Sequence, residues 1–181
     1  MPCGMPRRAR RVPRKRKEKL SEKMKNKKLE IRYEEFSSLE ELAPDEKKTA
    51  LEAVRARENA YAPYSGFKVG AAVLMANGEL VSGSNQENAA SPSGLCAERT
   101  AMFAAGARYP GMAMKILAVA GGGKEGLSEL PTSPCGACRQ VMAEYRKIGG
   151  EPMEILLVGG KSVYKFHETA DLLPFIFDNL Y

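Results

Sequence analysis

Three cysteines limit how this chain can fold. Cys96 stands alone, while Cys135 and Cys138 sit in Pro134-Cys135-Gly136-Ala137-Cys138, and each group opens a segment that reads as a helix. Spaced three apart on a helix, Cys135 and Cys138 present their sulfurs on one side. A helix N-terminus favours the thiolate, the ligand form of cysteine. Two such N-termini meeting end to end bring three thiolates to one cation, and zinc suits that donor set. Three protein ligands leave one position open, the pattern of catalytic rather than structural zinc. Taken singly, a CxxC is also the pattern of a redox pair or of half a structural zinc knuckle, and Cys96 also reads as an ordinary buried small residue.

Glu98 follows Cys96 by two residues, in Cys96-Ala97-Glu98. A carboxylate beside an open metal position can take a proton from water and pass it on; alone, it also reads as a helix-start acid. The sequence has one histidine, His167, which nearly excludes a Ser–His–Asp triad or a paired-histidine mechanism. Three thiolates carry much negative charge. Arg99, three residues after Cys96, Arg139, next to Cys138, and the two helix N-termini are the candidate sources of compensation.

Charge divides the chain. Of its 28 Lys/Arg and 22 Asp/Glu, residues 1–28 hold 13 basic and two acidic side chains, a net +11, and residues 29–181 are left with a net −5. Residues 1–28 have too few large apolar groups to supply a core, so they are expected to be a disordered basic tail, and residues 29–181 the folded domain. The tail reads either as a nucleic-acid or nuclear-import arm, or as a solvated tail or a leader translated upstream of Met24. No apolar run approaches the roughly 20 residues of a membrane span, and the N-terminus lacks the apolar core of a secretory signal. A cytoplasmic location is expected.

Strands are expected at Leu29–Phe36, 67–76, 79–85, 115–120, 153–158 and 162–166. Asn77-Gly78 marks a tight hairpin between the second and third. Helices are expected from Pro44 to about Ala60, from Cys96 to about Arg108 and from Cys135 to about Lys147, with Pro44 and the acids after it suited to a first turn. The tail from Glu168 reads as partly helical. This order predicts an α/β fold, a mixed β-sheet between helices.

The sequence resembles the cytidine deaminases, in the homotetrameric form whose zinc is held by three cysteines. The likeness rests on Tyr61-Ala62-Pro63-Tyr64-Ser65-Gly66-Phe67-Lys68-Val69-Gly70-Ala71-Ala72, Asn85-Gln86-Glu87-Asn88-Ala89, Gly94-Leu95-Cys96-Ala97-Glu98-Arg99, and Ser133-Pro134-Cys135-Gly136-Ala137-Cys138-Arg139. It implies a three-layer fold and one Zn2+ per chain on Cys96, Cys135 and Cys138, with Glu98 shuttling protons. It further implies that Asn85 and Glu87 hold the ribose hydroxyls, that Phe67 lies against the pyrimidine, and that the Ala97 backbone meets the base's polar edge. Arg99 is expected to support the metal site from behind. Tyr64 and Phe177 are expected to line a pocket shared between subunits. Ser91 stands where the family often carries Tyr.

The implied activity is hydrolytic deamination of cytidine and deoxycytidine in pyrimidine salvage. Rival readings are a nucleoside-antibiotic deaminase, which should lack the Asn85–Asn88 element, and a nucleic-acid editor, which the acidic body disfavours. A zinc-stabilised binding module would need a fourth protein ligand. Any nucleic acid would be bound only weakly, through the tail.

Overall fold

A computed structural model describes residues 25–178, and the chain divides into two compact units, Met1–Glu30 and Ile31–Tyr181. Of the expected tail, residues 1–24 lie outside the described residues, and residues 25–28 form no regular element. Everything that follows concerns the second unit.

Its elements in chain order are β1 (Glu34–Phe36), α1 (Pro44–Ala56), β2 (Lys68–Met75), β3 (Leu80–Ser84), α2 (Ala97–Arg108), β4 (Met114–Gly122), α3 (Gly136–Gly149), β5 (Glu154–Val158), β6 (Val163–Phe166) and α4 (Thr169–Leu172). The strands form one sheet in the order β1-β6-β5-β4-β2-β3. β4 and β5 run parallel and every other pair is antiparallel. A parallel pair needs a crossover, and α3 supplies it.

The central strands are apolar because both faces are covered. Val73, Val119 and Leu157 enter one core with Ala101 and Met102 of α2 and Met142 of α3. Leu74, Ala118 and Leu156, their neighbours along the same strands, enter the other with Ala50 and Ala53 of α1. The result is the expected mixed α/β sheet in three layers, α1 on one face and α2 with α3 on the other.

Local chemistry sets the ends. Pro44 opens α1, and the Ala43 N–H donates to Glu46 Oε2 at 3.0 Å. Gly78, at φ 83°, closes the β2–β3 hairpin as Asn77-Gly78 predicts. Gly150, at φ 69°, ends α3 in the left-handed conformation.

Three expectations need correction. The first strand does not begin at Leu29: only Glu34–Phe36 pairs with β6, and Tyr33 instead stacks on Phe166 with ring centroids 5.5 Å apart. α1 stops at Ala56, short of Ala60, and tightens into a 3-10 turn over Arg57–Asn59. There the buried Arg57 turns inward and donates through Nη2 to the carbonyls of Gly123 and Gly126 at 2.5 and 2.9 Å. β4 runs past Ala120, because Gly121 and Gly122 pair with Val69 and Lys68. A Cβ on Gly121 would lie 2.7 Å from Thr132 Oγ1, so glycine there lets the following loop lie against the strand.

Candidate active site

The small residues of α2 bring its N-terminus to the site. Ala97, Ala101 and Ala105 are fully buried at four-residue spacing, and a Cβ on Gly83 of β3 would sit 2.6 Å from the Ala101 nitrogen. α2 therefore lies directly on the sheet, with Cys96 as its N-cap, and Cys135 caps α3 in the same extended conformation. Cys138 is buried one turn in. Both N-termini point their dipoles at the sulfurs.

The three sulfurs cluster. Cys96 Sγ lies 3.9 Å from Cys135 Sγ, Cys135 Sγ lies 3.5 Å from Cys138 Sγ, and all three atoms fall within 4.8 Å of one another. Tetrahedral zinc, with Zn–S near 2.3 Å, needs sulfurs about 3.8 Å apart. The donor set fits zinc in type and spacing. The sulfurs are far beyond the roughly 2.05 Å of a disulfide, and the third thiol removes the simple redox-pair reading. Among the described residues no other group of histidine, cysteine and carboxylate side chains could hold a metal ion.

Electrostatics separates the cluster's members. The thiol hydrogen of Cys138 and then Arg99, whose Nη2 lies 3.9 Å from the sulfur, bring Cys96 down to about 5 against the opposing effect of burial. The same hydrogen bond to Cys96, with burial, pushes Cys138 up. Glu98 is 4% exposed, and burial first, then the charge of Cys96, raises its carboxyl above the ordinary range. A buried carboxyl that holds its proton more readily than a surface one is suited to proton transfer. Arg139 does not face the thiolates: its Nε and Nη1 donate to the carbonyls of Pro134 and Leu172 at 3.0 and 2.8 Å.

A cleft of about 590 Å³ opens beside Cys96, lined among others by Tyr64, Asn85, Glu87, Ser91 and Arg99. Three separate segments meet there through backbone bridges between Tyr61 and Gln86 and between Gln86 and Leu95. Residues 44–149 match the family described as cytidine and deoxycytidylate deaminase zinc-binding region.

The chain belongs to the cytidine and deoxycytidylate deaminase family.

Its relatives include a cytidine deaminase of Sporosarcina psychrophila, 44% identical over 133 residues, which are 72% of this chain and 89% of that protein. One of Halalkalibacterium halodurans is 50% identical over 93 residues, which span 66% of its length. The crystal structure of cytidine deaminase from Burkholderia pseudomallei superposes with a TM-score of 0.62 at 42% identity, covering 72% of this chain and 97% of that one. The matched zinc-binding region contains Cys96, Cys135 and Cys138, the cluster able to hold a metal ion.

Of the remaining expected residues, Asn85, Glu87 and Tyr64 line the cleft, while Phe67, Ala97 and Phe177 are not in its lining. Asn85 and Glu87 both also grip the backbone of the segment 64–69. Asn85 Oδ1 accepts from Val69 N at 2.8 Å and its Nδ2 donates to Phe67 O at 2.9 Å. Glu87 Oε2 accepts from Tyr64 N at 2.8 Å. Phe67 lies near Gly121, where an added Cβ would come within 3.1 Å of its ring. Ala97 is fully buried at the first turn of α2. Tyr64 and Phe177 are 63% and 69% exposed; Phe177 is not in the cleft lining, and its backbone pairs with the Gln140 side chain.

Sequence reasoning missed Ser65 and the local job of Asn88. Asn88 Oδ1 accepts from Ala90 N at 2.9 Å, an Asx turn that shapes the cleft wall. Asn88 stood inside a recognised motif, and an Asn two residues before a loop N–H was the available signal. No membrane-crossing helix occurs among the described residues: none is long and apolar enough.

Proposed function

We propose that the chain hydrolytically deaminates cytidine and deoxycytidine to uridine and deoxyuridine, in pyrimidine salvage. The observation that carries this reading is a buried carboxyl, Glu98, two residues after Cys96 and hydrogen-bonded to Cys138 of the three-sulfur cluster, with Cys96 lining a cleft that an amide and a carboxylate also line. Zinc bound to Cys96, Cys135 and Cys138 supplies a Lewis acid and lets water act as a nucleophile near neutral pH.

Glu98 takes one proton from the attacking water and gives it to N3 of the ring, then takes the second from the hydroxyl now on C4 and passes it to the amino group, which leaves as ammonia. Its burial supports the role, because a desolvated carboxyl transfers a proton without first shedding water. Asn85 and Glu87 bind the ribose hydroxyls with the hydrogen-bonding capacity left after their backbone contacts. Phe67 covers one face of the pyrimidine, and the Ala97 backbone meets the base's polar edge. The Arg99 guanidinium offsets the charge on Cys96.

Tyr64 and Phe177 complete the pocket of a neighbouring subunit in a homotetramer; their exposure in the single chain supports this. The protein works in the cytoplasm on free nucleosides. Residues 1–28 form a basic tail on a self-contained domain, 29–181, and bind nucleic acid weakly if at all. The test is an assay of the full chain on cytidine, deoxycytidine and a cytosine-containing single-stranded oligonucleotide, with zinc counted. Turnover of both nucleosides with one zinc per chain is expected. Deamination within the oligonucleotide at a rate comparable with free cytidine would overturn the salvage reading.

A further inference from the structure

The loop that carries Phe67 is held from outside the sheet. Glu87 Oε2 accepts from Tyr64 N at 2.8 Å and from Ser65 N at 3.2 Å, while its Oε1 accepts from the Ser65 hydroxyl. The Ser65 oxygen in turn accepts from Phe67 N at 3.0 Å. Asn85 Nδ2 donates to the Phe67 carbonyl at 2.9 Å. Gly66, at φ 68°, turns the chain between Ser65 and Phe67. The backbone of Phe67 is thus fixed at its N–H by Ser65 and at its carbonyl by Asn85.

We propose that Ser65 is a positioning residue for the nucleoside pocket, one hydroxyl that sets both the aromatic ring of Phe67 and the carboxylate of Glu87. The inference rests on the deaminase reading for its consequence, but its geometry does not.

Ser65 donates once and accepts once, so the three groups form a chain: the Phe67 N–H donates to Ser65, and Ser65 donates to Glu87. Each bond in such a chain polarises the next. A carboxylate has about four acceptor sites, and three here are filled by Tyr64 N, Ser65 N and the Ser65 hydroxyl. The position left over is fixed in direction by the other three, which is what recognition of a single hydroxyl needs. These bonds, that from Ser65 first, also hold the Glu87 carboxyl below its ordinary range and keep it an acceptor.

Ser65→Ala removes the link without touching the sulfur cluster or Glu98. Three readouts follow in the full chain with zinc. The Phe67 amide should exchange with solvent about tenfold faster, and the Glu87 carboxyl should titrate closer to an ordinary glutamate. The KM for cytidine and the inhibition constant of uridine should rise about tenfold with kcat within about twofold of wild type. Ser65→Thr, which keeps the hydroxyl, should restore all three. Unchanged Phe67 exchange and Glu87 titration in Ser65→Ala would overturn the proposal whatever the turnover. A fall in kcat with KM unchanged would also overturn it. Wild-type protein that fails to deaminate cytidine would instead overturn the functional reading, and the exchange and titration readouts would still decide the role of Ser65.

Discussion

Arg139 donates through Nη1 to the carbonyl of Leu172 at 2.8 Å, so the guanidinium beside Cys138 ties the second metal-binding segment to α4 instead of facing the sulfurs. Arg99, three residues after Cys96, has Nη2 3.9 Å from Cys96 Sγ. The two arginines near the ligands therefore do different work. Arg99→Gln should weaken zinc binding about 10–100-fold, the usual effect of losing a partner behind a ligand. Arg139→Gln should leave zinc affinity within a few-fold and lower stability by about 1–3 kcal/mol, as the Pro134 and Leu172 carbonyls lose their donor. Chelator competition and thermal unfolding separate the two effects. Equal losses of zinc affinity in both variants would contradict the assignment.

Glu98→Gln should fold, keep one zinc per chain and lose about 10²–10⁴-fold in kcat, because the amide cannot carry a proton. The swap keeps the volume of a side chain that is only 4% exposed, so the core should tolerate it. Cys135→Ala should lose the metal together with activity, since two thiols remain. Metal content and turnover must be measured on the same sample. Near-wild-type turnover in Glu98→Gln with full zinc would remove Glu98 from the proton path.

Two glycines join the core to the site. A Cβ on Gly70 would lie 2.1 Å from Ala53 O and 2.3 Å from Arg57 N, both backbone atoms of the layer that packs on β2. Gly70→Ala should therefore force the layers apart and cost about 3 kcal/mol or more, read by denaturant unfolding. On Gly121 the added carbon would meet Thr132 at 2.7 Å and the Phe67 ring at 3.1 Å, side chains that can move. Gly121→Ala should cost less stability but displace Phe67, seen as a several-fold higher KM for cytidine. Similar unfolding midpoints for the two variants would show that the backbone contact at Gly70 is relieved cheaply.

The layers were legible because the central strands are short apolar runs bounded by Gly, Asn and Pro, and because Asn77-Gly78 is chemically restricted to a tight turn. The metal cluster was legible because a ligand site demands residue types at fixed spacing. The contacts of Arg139 were not, since a side chain next to a ligand in sequence can point to either side of a helix end. The grip of Asn85 on Phe67 was hidden for another reason: an amide suits a sugar hydroxyl and a strand backbone equally. The extent of β1 escaped as well, because Leu29–Phe36 has strand-like composition, while its pairing depends on how far β6 extends.

Lys165 offers a test of stability away from the chemistry. Its ammonium lies 2.6 Å from Glu46 Oε1 on α1 and 3.1 Å from Glu154 Oε1 on β5, with the side chains of Lys165 and Glu46 only 12% and 10% exposed. Lys165→Met leaves the buried Glu46 carboxylate without its cation, and should cost about 3–5 kcal/mol. Adding Glu46→Gln should recover part of that loss, because the stranded charge goes with it. Burial alone would lower the lysine's pKa, but the hydrogen bonds and charges of Glu46 and Glu154 outweigh it and hold it above the ordinary value. A raised folded-state pKa contributes stability in full below the unfolded value of about 10.4 and loses it as pH rises through the folded value. Wild type should therefore lose stability above about pH 10 more steeply than Lys165→Met, while near neutral pH the gap between them stays constant. Urea unfolding across that range reads the difference, and parallel alkaline limbs for the two proteins would show that the lysine gains nothing from its carboxylates.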